Sequence, residues 1–271
     1  MNRRNFLRLM AYTSPVAALA YGFAETGDVR IDRVAVTVPN LPKSFDGMSV
    51  AFLTDIHHGP YVTLGQVTAF VRTVLTLQPD LILLGGDYCL RDGKYIAPCF
   101  EVLASLKAPL GVYGVLGNHD YAQGADDTKN AMAKAGIVEL TNSGVWLTRG
   151  RERLRLAGVD DLWRGRPDVS VALGDMKSTE ACLLVSHNPD VAETMLDRRV
   201  GLMLSGHTHG GQVSAPGMTN PFVPSRYGDK YARGLVDAPT TQVYVSRGLG
   251  VTGVPVRYNC PPEISLLTLR C

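Results

Sequence analysis

Potential metal ligands follow five separate apolar runs of this sequence. The clearest group is the segment from Gly117 to Asp120, which offers an amide, an imidazole and a carboxylate after the apolar run at 112–116. The other four runs are followed by six more candidates, which are Asp55, His57, Asp87, His187, His207 and His209. The chain has six histidines, and five of them follow these runs. A random scatter would leave several in loops and on helix faces, so we interpret the set as one site.

The mixture of ligand types predicts the kind of metal. Imidazole, carboxylate and one amide, with no thiolate, suit Mn, Fe or Zn better than a four-cysteine zinc site or an all-oxygen calcium site. Residues two apart in an extended segment face the same side at roughly 6.5 to 7 Å, so Asp55 and His57 can close on one ion. His207 and His209 have the same spacing. The whole set is too large for one tetrahedral ion, and two ions at roughly 3.5 to 4 Å fit it better.

The charge of such a site indicates its substrate class. Two divalent ions carry +4, Asp55 and Asp87 return −2, and a bridging hydroxide leaves about +1. The site would therefore attract a phosphate.

Strands and helices alternate in the first part of the chain. Residues 29–38 alternate between apolar and polar and predict a half-buried strand, whereas 48–54 and 80–84 predict buried strands. Between them, Thr63 can cap a helix that Pro79 stops. This strand, helix, strand order implies a parallel sheet. Further helices are expected at residues 95–106, 126–135, 169–173 and 189–196.

The second half of the chain predicts another group of strands. Residues 138–140, 145–148 and 154–159 have the alternation of short antiparallel strands, and apolar runs follow at 181–185, 201–204, 242–245 and 263–269. A proline-rich, basic and aromatic loop is expected at 215–233. Two groups of strands with helices outside predict a layered α/β fold with two packed sheets.

Composition narrows the choice of partners. With 271 residues and 45% hydrophobic side chains, the chain can bury one large core. The net charge of +2 is spread along the chain without a basic run, so nucleic acid is not the expected partner.

The five cysteines are an odd number, which argues against a full disulfide framework, and a bridge between Cys89 and Cys99 is left open.

The N-terminus predicts export. Residues 3–8 have the order Arg-Arg-x-Phe-Leu-Arg, which resembles the twin-arginine export signal, and a short apolar stretch follows at 9–23. The residues from Ala18 to Ala20 offer a cleavage site. The stretch is shorter than the roughly 20 apolar residues that a spanning helix needs. We expect residues 1–28 to be a twin-arginine signal or a weak tether, and 29–271 to be the catalytic domain. The protein would then use the twin-arginine (Tat) export machinery and reside in the periplasm, in the cell wall or at the membrane.

The ordered motifs resemble those of the calcineurin-like metallophosphoesterase family. They are Asp-x-His, Gly-Asp, Gly-Asn-His-Asp, a lone His and Gly-His-Thr-His, each after a predicted strand between residues 48 and 210. The strings at 206–212 and 246–262 are similar to a twin-arginine-exported bacterial phosphodiesterase branch whose relatives include UDP-2,3-diacylglucosamine pyrophosphatases. The resemblance implies a four-layer α-β-β-α sandwich with two mixed β-sheets and a dinuclear site at one edge.

The resemblance also implies a role for each ligand. Asp55, His57 and His209 would hold one metal, Asn118, His187 and His207 the other, and Asp87 would bridge both. A hydroxide bridging the two metals would attack phosphorus in line, without a covalent enzyme intermediate. His119 would protonate the leaving oxygen and Asp120 would orient it. Because neighbours in an extended segment point to opposite sides, Asn118 would face the metal and His119 the phosphoryl group.

The substrate is left open between several phosphoesters. Two loops offer substrate-binding candidates, of which we expect Arg164, Arg166, Tyr227 and Arg233 to contact substrate. Each loop could bind a nucleotide or a lipid phosphate head group, or be a solvated loop with a packed tryptophan. The first loop contains Asp160, Asp161, Trp163, Arg164 and Arg166, and the second contains Tyr227, Lys230, Tyr231 and Arg233. We expect a phosphodiesterase acting on a small phosphoester or nucleotide-lipid substrate, with a UDP-2,3-diacylglucosamine-type pyrophosphatase of lipid A metabolism and a phosphomonoesterase as alternatives. Peripheral contact with a membrane is also left open. A non-catalytic binding module is disfavoured because no ligand position is substituted.

Overall fold

Two mixed six-stranded sheets form the centre of the molecule. The computed structural model describes residues 3–5, 15–195, 197–214 and 222–271. In these residues, the strands are β1 (Arg30–Thr37), β2 (Ser49–Leu53), β3 (Leu81–Leu84), β4 (Val112–Gly114), β5 (Val138–Glu139), β6 (Ser143–Arg149), β7 (Glu152–Gly158), β8 (Cys182–Val185), β9 (Leu202–Ser205), β10 (Gly234–Asp237), β11 (Gln242–Val245) and β12 (Glu263–Arg270). The α-helices are α1 (Pro15–Glu25), α2 (Leu64–Leu77), α3 (Ile96–Leu103), α4 (Asn118–Lys134), α5 (Val169–Leu173) and α6 (Val191–Thr194).

The strand order places the parallel strands at the centre of each sheet. The first sheet has the order β1-β12-β2-β3-β4-β5, and β2, β3 and β4 are parallel neighbours. The second has the order β10-β11-β9-β8-β7-β6, and β7, β8, β9 and β11 are parallel neighbours. The predicted ligands follow the carboxyl ends of β2, β3, β4, β8 and β9.

Three apolar layers hold the sheets and helices together. One lies between the first sheet and helices α2 to α4, one between the two sheets, and one between the second sheet and helices α5 and α6. Successive residues of a strand serve different layers: Val50 and Phe52 pack between the sheets, whereas Ala51 and Leu53 face the helices. This explains why the strands read as continuous apolar runs. The predicted α/β fold with two packed, mixed sheets is confirmed.

Helix α2 forms where Thr63 was expected to cap it. The Thr63 hydroxyl accepts the backbone N–H of Gln66 at 3.3 Å, and the Gln66 side chain accepts the backbone N–H of Thr63 at 2.9 Å. This reciprocal pair satisfies two amides that a helix otherwise leaves free. The helix ends at Leu77, and the next residue, Gln78, is left-handed (φ 48°) and directly precedes Pro79.

Some predicted elements are wrong. Strand β5 pairs in parallel with β4, not antiparallel, because helix α4 connects them. Helix α4 begins at Asn118 and not at residue 126, and Gly124 interrupts it with a φ of 134°. That break explains why the sequence pattern predicts only the second half of the helix. Helix α6 is one turn rather than the stretch 189–196, and strand β10 was not predicted.

Helix α1 lies in the predicted N-terminal appendage, yet its last residues pack on the domain. Tyr21 is buried, and its ring meets that of Tyr258 edge-on at 5.3 Å. A Glu25 carboxylate oxygen accepts the backbone N–H of Cys260 at 3.2 Å. In the parts of the chain that the structure describes, no helix combines the length and apolar character needed to cross a bilayer. Residues 6–14 of the signal and 215–221 of the predicted loop lie outside the described residues.

Candidate metal centre

The loops after five strands meet at one edge of the sandwich. From the first sheet come the loops after β2, β3 and β4, and from the second come those after β8 and β9. Backbone hydrogen bonds tie them to one another: Asp55 N–H donates to Gly86, and Gly206 N–H donates to His187. The carboxyl ends of parallel strands are where α/β proteins gather their ligands.

The ligand loops turn sharply instead of continuing the strands. Asp55, His57, His207 and His209 have φ values of 53°, 49°, 68° and 52°, in the left-handed region that non-glycine residues seldom adopt. Asp87 has a φ of 57°. The expectation that extended spacing places two ligands on one side is therefore wrong. The side chains converge because the backbone adopts the left-handed conformation at the predicted ligands. Such backbone strain is typical of functional sites.

One group of ligands comes from the loops after β2 and β9. The Nε2 atoms of His57 and His209 are 3.0 Å apart, and His209 Nε2 is 3.3 Å from Asp55 Oδ1. The three side chains are buried and form a cluster suited to a metal ion.

A second group lies beside it. His187 donates from Nδ1 to the Gly85 carbonyl at 2.8 Å, which turns Nε2 towards Asp87 Oδ2 at 3.3 Å. His207 Nδ1 is 3.2 Å from His187 Nε2. Within the described part of the chain, the buried Asn118 Oδ1 has no hydrogen-bond partner, as expected of an oxygen that serves as a metal ligand.

These separations match the ligand shell of a small divalent cation. With metal–nitrogen bonds of about 2.1 Å, neighbouring ligand atoms are about 3.0 Å apart at right angles and about 3.4 Å apart in a tetrahedron. The nitrogens of His57 and His209, and those of His187 and His207, fall in this range. The residues present therefore fit divalent metals.

The pKa values of the site residues also favour bound cations. Burial raises the pKa of Asp55, but the neighbouring His209, His187 and His57 outweigh it and bring the pKa well below its ordinary value. Burial also raises the pKa of Asp87, but the neighbouring histidines, mainly His187, bring it below its ordinary value. Burial lowers the pKa of His57 to about 3, whereas Asp87 outweighs burial at His187 and raises its pKa to about 10. The site thus holds two anionic carboxylates that favour positive charge between them.

A family model described as calcineurin-like phosphoesterase matches residues 48–211, the span that contains every predicted ligand. The chain belongs to the calcineurin-like phosphoesterase family. The family resemblance of the motifs is confirmed, and with it the assignment as a phosphoester hydrolase that uses divalent metals.

Curated relatives agree with that assignment. The uncharacterized metallophosphoesterase YkuE of Bacillus subtilis (strain 168) is 32% identical over 281 residues, covering 100% of this chain and 98% of that protein. Phosphodiesterase YaeI of Escherichia coli (strain K12) is 34% identical over 224 residues and covers 81% of each. Among solved structures, TT1561 of Thermus thermophilus matches 74% of this chain and 90% of its own, with 14% identity and a TM-score of 0.47. That last likeness is too low to bear on function.

Two glycines of this phosphoesterase let the loops approach. A side chain at Gly117 would overlap the carboxylate of Asp87, and one at Gly206 would overlap that of Asp55. The glycines in Gly-Asn-His-Asp and Gly-His-Thr-His therefore have a steric role beside the ligands that follow them.

Asp120 has a different role from the expected one. Its Oδ2 accepts the backbone N–H groups of Asp87 at 2.7 Å and Gly117 at 2.8 Å, and its Oδ1 accepts that of Tyr88 at 2.9 Å. Among the described residues it makes no hydrogen bond to the His119 ring, so the predicted orienting pair is not formed. Burial and the charge of Asp87 raise the pKa of Asp120 to about 7, although the hydrogen bonds from the three backbone amides lower it.

His119 lies in the first turn of helix α4, not in an extended segment. Its ring meets that of His57 edge-on at 4.9 Å, and its backbone N–H donates to Asp87 Oδ1 at 2.8 Å. The idea that Asn118 and His119 point to opposite sides of a strand is wrong, because both are helical. The remaining histidine, His58, is buried and bonds through Nδ1 to the Val62 carbonyl at 2.9 Å.

One buried residue near the site, Arg257, is not predicted from the sequence. Arg257 is fully buried, and its guanidinium reaches His209 Nδ1 at 3.4 Å and the Gly250 carbonyl at 2.5 Å. Asp161 is also fully buried, and Trp163 packs on His207. Both belong to the first predicted substrate loop, and the structure places that loop beside the predicted ligand His207. Nothing in the sequence marks Arg257.

The four substrate candidates are exposed and lie in two separate segments. The backbone N–H of Arg164 donates to Asp161 at 2.7 Å, and that of Arg166 donates to Asp160 at 2.8 Å. Both side chains are exposed. The Tyr227 ring meets Tyr231 at 6.1 Å, and Arg233 donates to the Asn259 carbonyl at 3.2 Å. Their substrate-binding role stays a prediction. The five cysteines are free.

Proposed function

We propose that this phosphoesterase is a phosphodiesterase that uses two adjacent divalent ions. The observation that carries the proposal is the position of Asp87 between the two ligand groups. Its Oδ2 lies 3.6 Å from His57 Nε2 and 3.3 Å from His187 Nε2. One carboxylate oxygen that faces both groups is suited to bridge two ions.

Each group has the residues for one ion. Asp55, His57 and His209 would hold the first, Asn118, His187 and His207 the second, and Asp87 both. When bound, such ions supply positive charge for a phosphoryl group and lower the pKa of water towards neutrality. The chain itself fixes the donors in a buried setting, so little reorganisation is needed when substrate arrives.

His119 is suited to handle the proton of the leaving group. Its ring is partly exposed, unlike the buried rings of His57 and His187, and it lies at the edge of the ligand set. A side chain there can reach a substrate and hold a proton for the departing oxygen.

The charge around the site favours a diester over a monoester. Among the described residues, Arg257 is the one Lys or Arg that bonds to a predicted ligand, and it is buried behind His209, away from substrate. A monoester carries up to two negative charges and a diester carries one, so the metals alone can neutralise a diester. The relative YaeI is named a phosphodiesterase, which agrees with this choice.

The proposal is tested on purified protein with Mn²⁺ and two aryl substrates. The value of kcat/KM for bis(p-nitrophenyl) phosphate should exceed that for p-nitrophenyl phosphate. Asp87→Asn and His207→Ala should each lose about 1000-fold or more, a barrier change of about 4 kcal/mol. Asp175→Asn changes an exposed carboxylate and is the control. Near-normal activity in Asp87→Asn would overturn the shared-ligand proposal.

The same panel separates the other candidate substrates. A nucleotide-sugar pyrophosphate that is hydrolysed faster than the diester would favour the UDP-2,3-diacylglucosamine-type activity. A faster monoester would make the protein a phosphomonoesterase. Metal binding without hydrolysis of any of them would leave a binding module.

We further propose that the N-terminal segment directs export by the twin-arginine route. The support is the Arg3–Arg4 pair ahead of a short apolar stretch. In the structure, the Arg4 guanidinium pairs with Asp28 at 2.9 Å. The double substitution Arg3→Lys, Arg4→Lys should abolish export in fractionated cells. Unchanged export would contradict the assignment.

A further inference from the structure

The loop at 160–166, after strand β7, is rigidly built. Asp160 accepts the Tyr121 hydroxyl and the backbone N–H groups of Asp161 and Arg166, both at 2.8 Å. A side chain at Gly165 would overlap the Asp160 carboxylate, so the loop closes tightly only with glycine there. Because Tyr121 belongs to helix α4, the loop is joined to the helix that carries Asn118 and His119.

One oxygen of the Asp161 carboxylate holds the next part of the loop in place, whereas the other accepts no hydrogen bond from the described residues. Its Oδ2 accepts the backbone N–H groups of Trp163 at 2.9 Å and Arg164 at 2.7 Å. The side chain is fully buried, yet its Oδ1 has no hydrogen-bond partner among the residues that the structure describes. Buried acceptors are nearly always satisfied, so this one indicates a donor supplied by a ligand or by water. Asp161 is two residues before Trp163, whose ring contacts the predicted ligand His207.

Trp163 is the exposed end of this loop. Its ring centroid lies 4.2 Å from that of His207, with the ring planes at 90°, so the indole touches a predicted metal ligand. Yet 51% of the side chain is open to solvent. The other tryptophan, Trp146, is half-buried and has Arg153 over its ring at 3.8 Å. A large aromatic surface held beside the ligand set and left open is suited to stack on a planar group of the substrate.

We propose that Trp163 is a specificity residue that stacks on the base of a nucleoside phosphodiester whose phosphate lies at the metal centre. This rests on the proposed phosphoesterase function and adds the class of substrate to it. The short distance from Trp163 to His207 sets the base next to the phosphate, as in a nucleoside 5′-phosphodiester.

The kinetic test compares two diesters with the same leaving group. They are the p-nitrophenyl ester of thymidine 5′-monophosphate and ethyl p-nitrophenyl phosphate. Trp163→Ala should lower kcat/KM for the thymidine ester by about 5- to 150-fold, the usual effect of losing one stacked base. The ethyl ester should change less than about threefold, because it has no base to stack. Trp163→Phe should restore most of the preference, and Trp146→Phe should leave both values unchanged.

A binding test does not depend on turnover. In the Trp146→Phe protein, Trp163 is the one tryptophan left, so its fluorescence reports on the platform alone. Thymidine 5′-monophosphate should quench it in a saturable way, and ethyl phosphate should not. In the Trp163→Phe protein, the signal of Trp146 should not respond to either.

Each outcome separates the two proposals. Equal loss on both esters in Trp163→Ala would mean that the indole only supports His207, and no loss on either would mean that it is not used; both overturn the platform. If wild-type protein hydrolyses neither ester but thymidine 5′-monophosphate still quenches Trp163, the phosphodiesterase proposal fails and the base platform stands.

Discussion

The carboxylate of Asp120 accepts the backbone N–H of Asp87 at 2.7 Å and so fixes the residue that lies between the two ligand groups. The same carboxylate holds the amides of Tyr88 and Gly117. It therefore joins the loop after β3 to the start of helix α4. The acidic residue of Gly-Asn-His-Asp supports the position of Asp87 rather than the imidazole of His119.

Replacing Asp120 should therefore affect metal binding as well as stability. Asp120→Asn leaves one acceptor for three amides, so we expect a loss of about 1 to 3 kcal/mol in the free energy of unfolding. Metal content should fall, and activity should fall equally for good and poor leaving groups. Asp126→Asn, on the exposed face of the same helix, is the matched control. Full metal content with a loss confined to poor leaving groups would instead restore the predicted pair with His119.

Removing metal should destabilise the protein strongly. The nitrogens of His57 and His209 are 3.0 Å apart beside two carboxylates, an arrangement that needs a cation to be satisfied. At a free metal concentration 100 times the Kd, binding contributes about 2.7 kcal/mol, which corresponds to a rise in Tm of about 5 to 10 °C. Differential scanning calorimetry with chelator and with Mn²⁺ measures this rise.

The ligand variants test where that stabilisation arises. Asp55→Asn should lose most of the metal-dependent rise in Tm. His58→Asn should keep it, because His58 bonds to the Val62 carbonyl and lies outside the ligand set. An undiminished rise in Asp55→Asn would place the metal elsewhere.

His119→Ala should retain metal and lose activity selectively. The bond from residue 119 to Asp87 Oδ1 comes from the backbone N–H, so the substitution leaves it in place. If the ring gives a proton to the leaving oxygen, kcat should fall about 100-fold or more for alkyl leaving groups and little for p-nitrophenol. A series of diesters with graded leaving-group pKa values measures this slope. An unchanged slope with reduced metal content would make His119 a ligand rather than an acid.

The ligand residues could be predicted because their strands are buried on both faces. In β2 and β3, successive residues pack into different apolar layers, and the run ends where the chain reaches the sheet edge. Polar residues such as Asp55 and Asp87 then stand out directly after the run. The prediction of a two-sheet α/β fold has the same basis.

The route by which the side chains converge could not be predicted. Left-handed backbone at Asp55, His57 and Asp87 depends on contacts with loops far away in sequence, and local residue preferences oppose it. The role of Asp120 was missed for a similar reason, because two of its partners lie more than 30 positions earlier. The sequence predicts a loop at Trp163, but no pattern in it brings the indole to His207.

Truncation at two positions tests the predicted boundary between residues 28 and 29. Leu19 is 54% exposed, whereas Tyr21 is 3% exposed and packs on Tyr258. The carbonyl of Gly22 accepts the backbone N–H of Arg257 at 3.1 Å, in the segment that supports His209. Removing residues 1–20 should therefore keep the packing, and removing residues 1–28 should cost about 2 to 4 kcal/mol through lost burial and hydrogen bonds.

Urea unfolding of the two truncated proteins and the full chain measures that difference. The shorter truncation should match the full chain, and the longer one should have a lower midpoint and weaker metal binding, because Arg257 loses its contact with Gly22. Equal midpoints for both truncations would confirm that the domain is self-contained from residue 29. A loss already present after removal of residues 1–20 would instead assign stabilising contacts to the earlier part of the segment, such as the ion pair of Arg4 with Asp28.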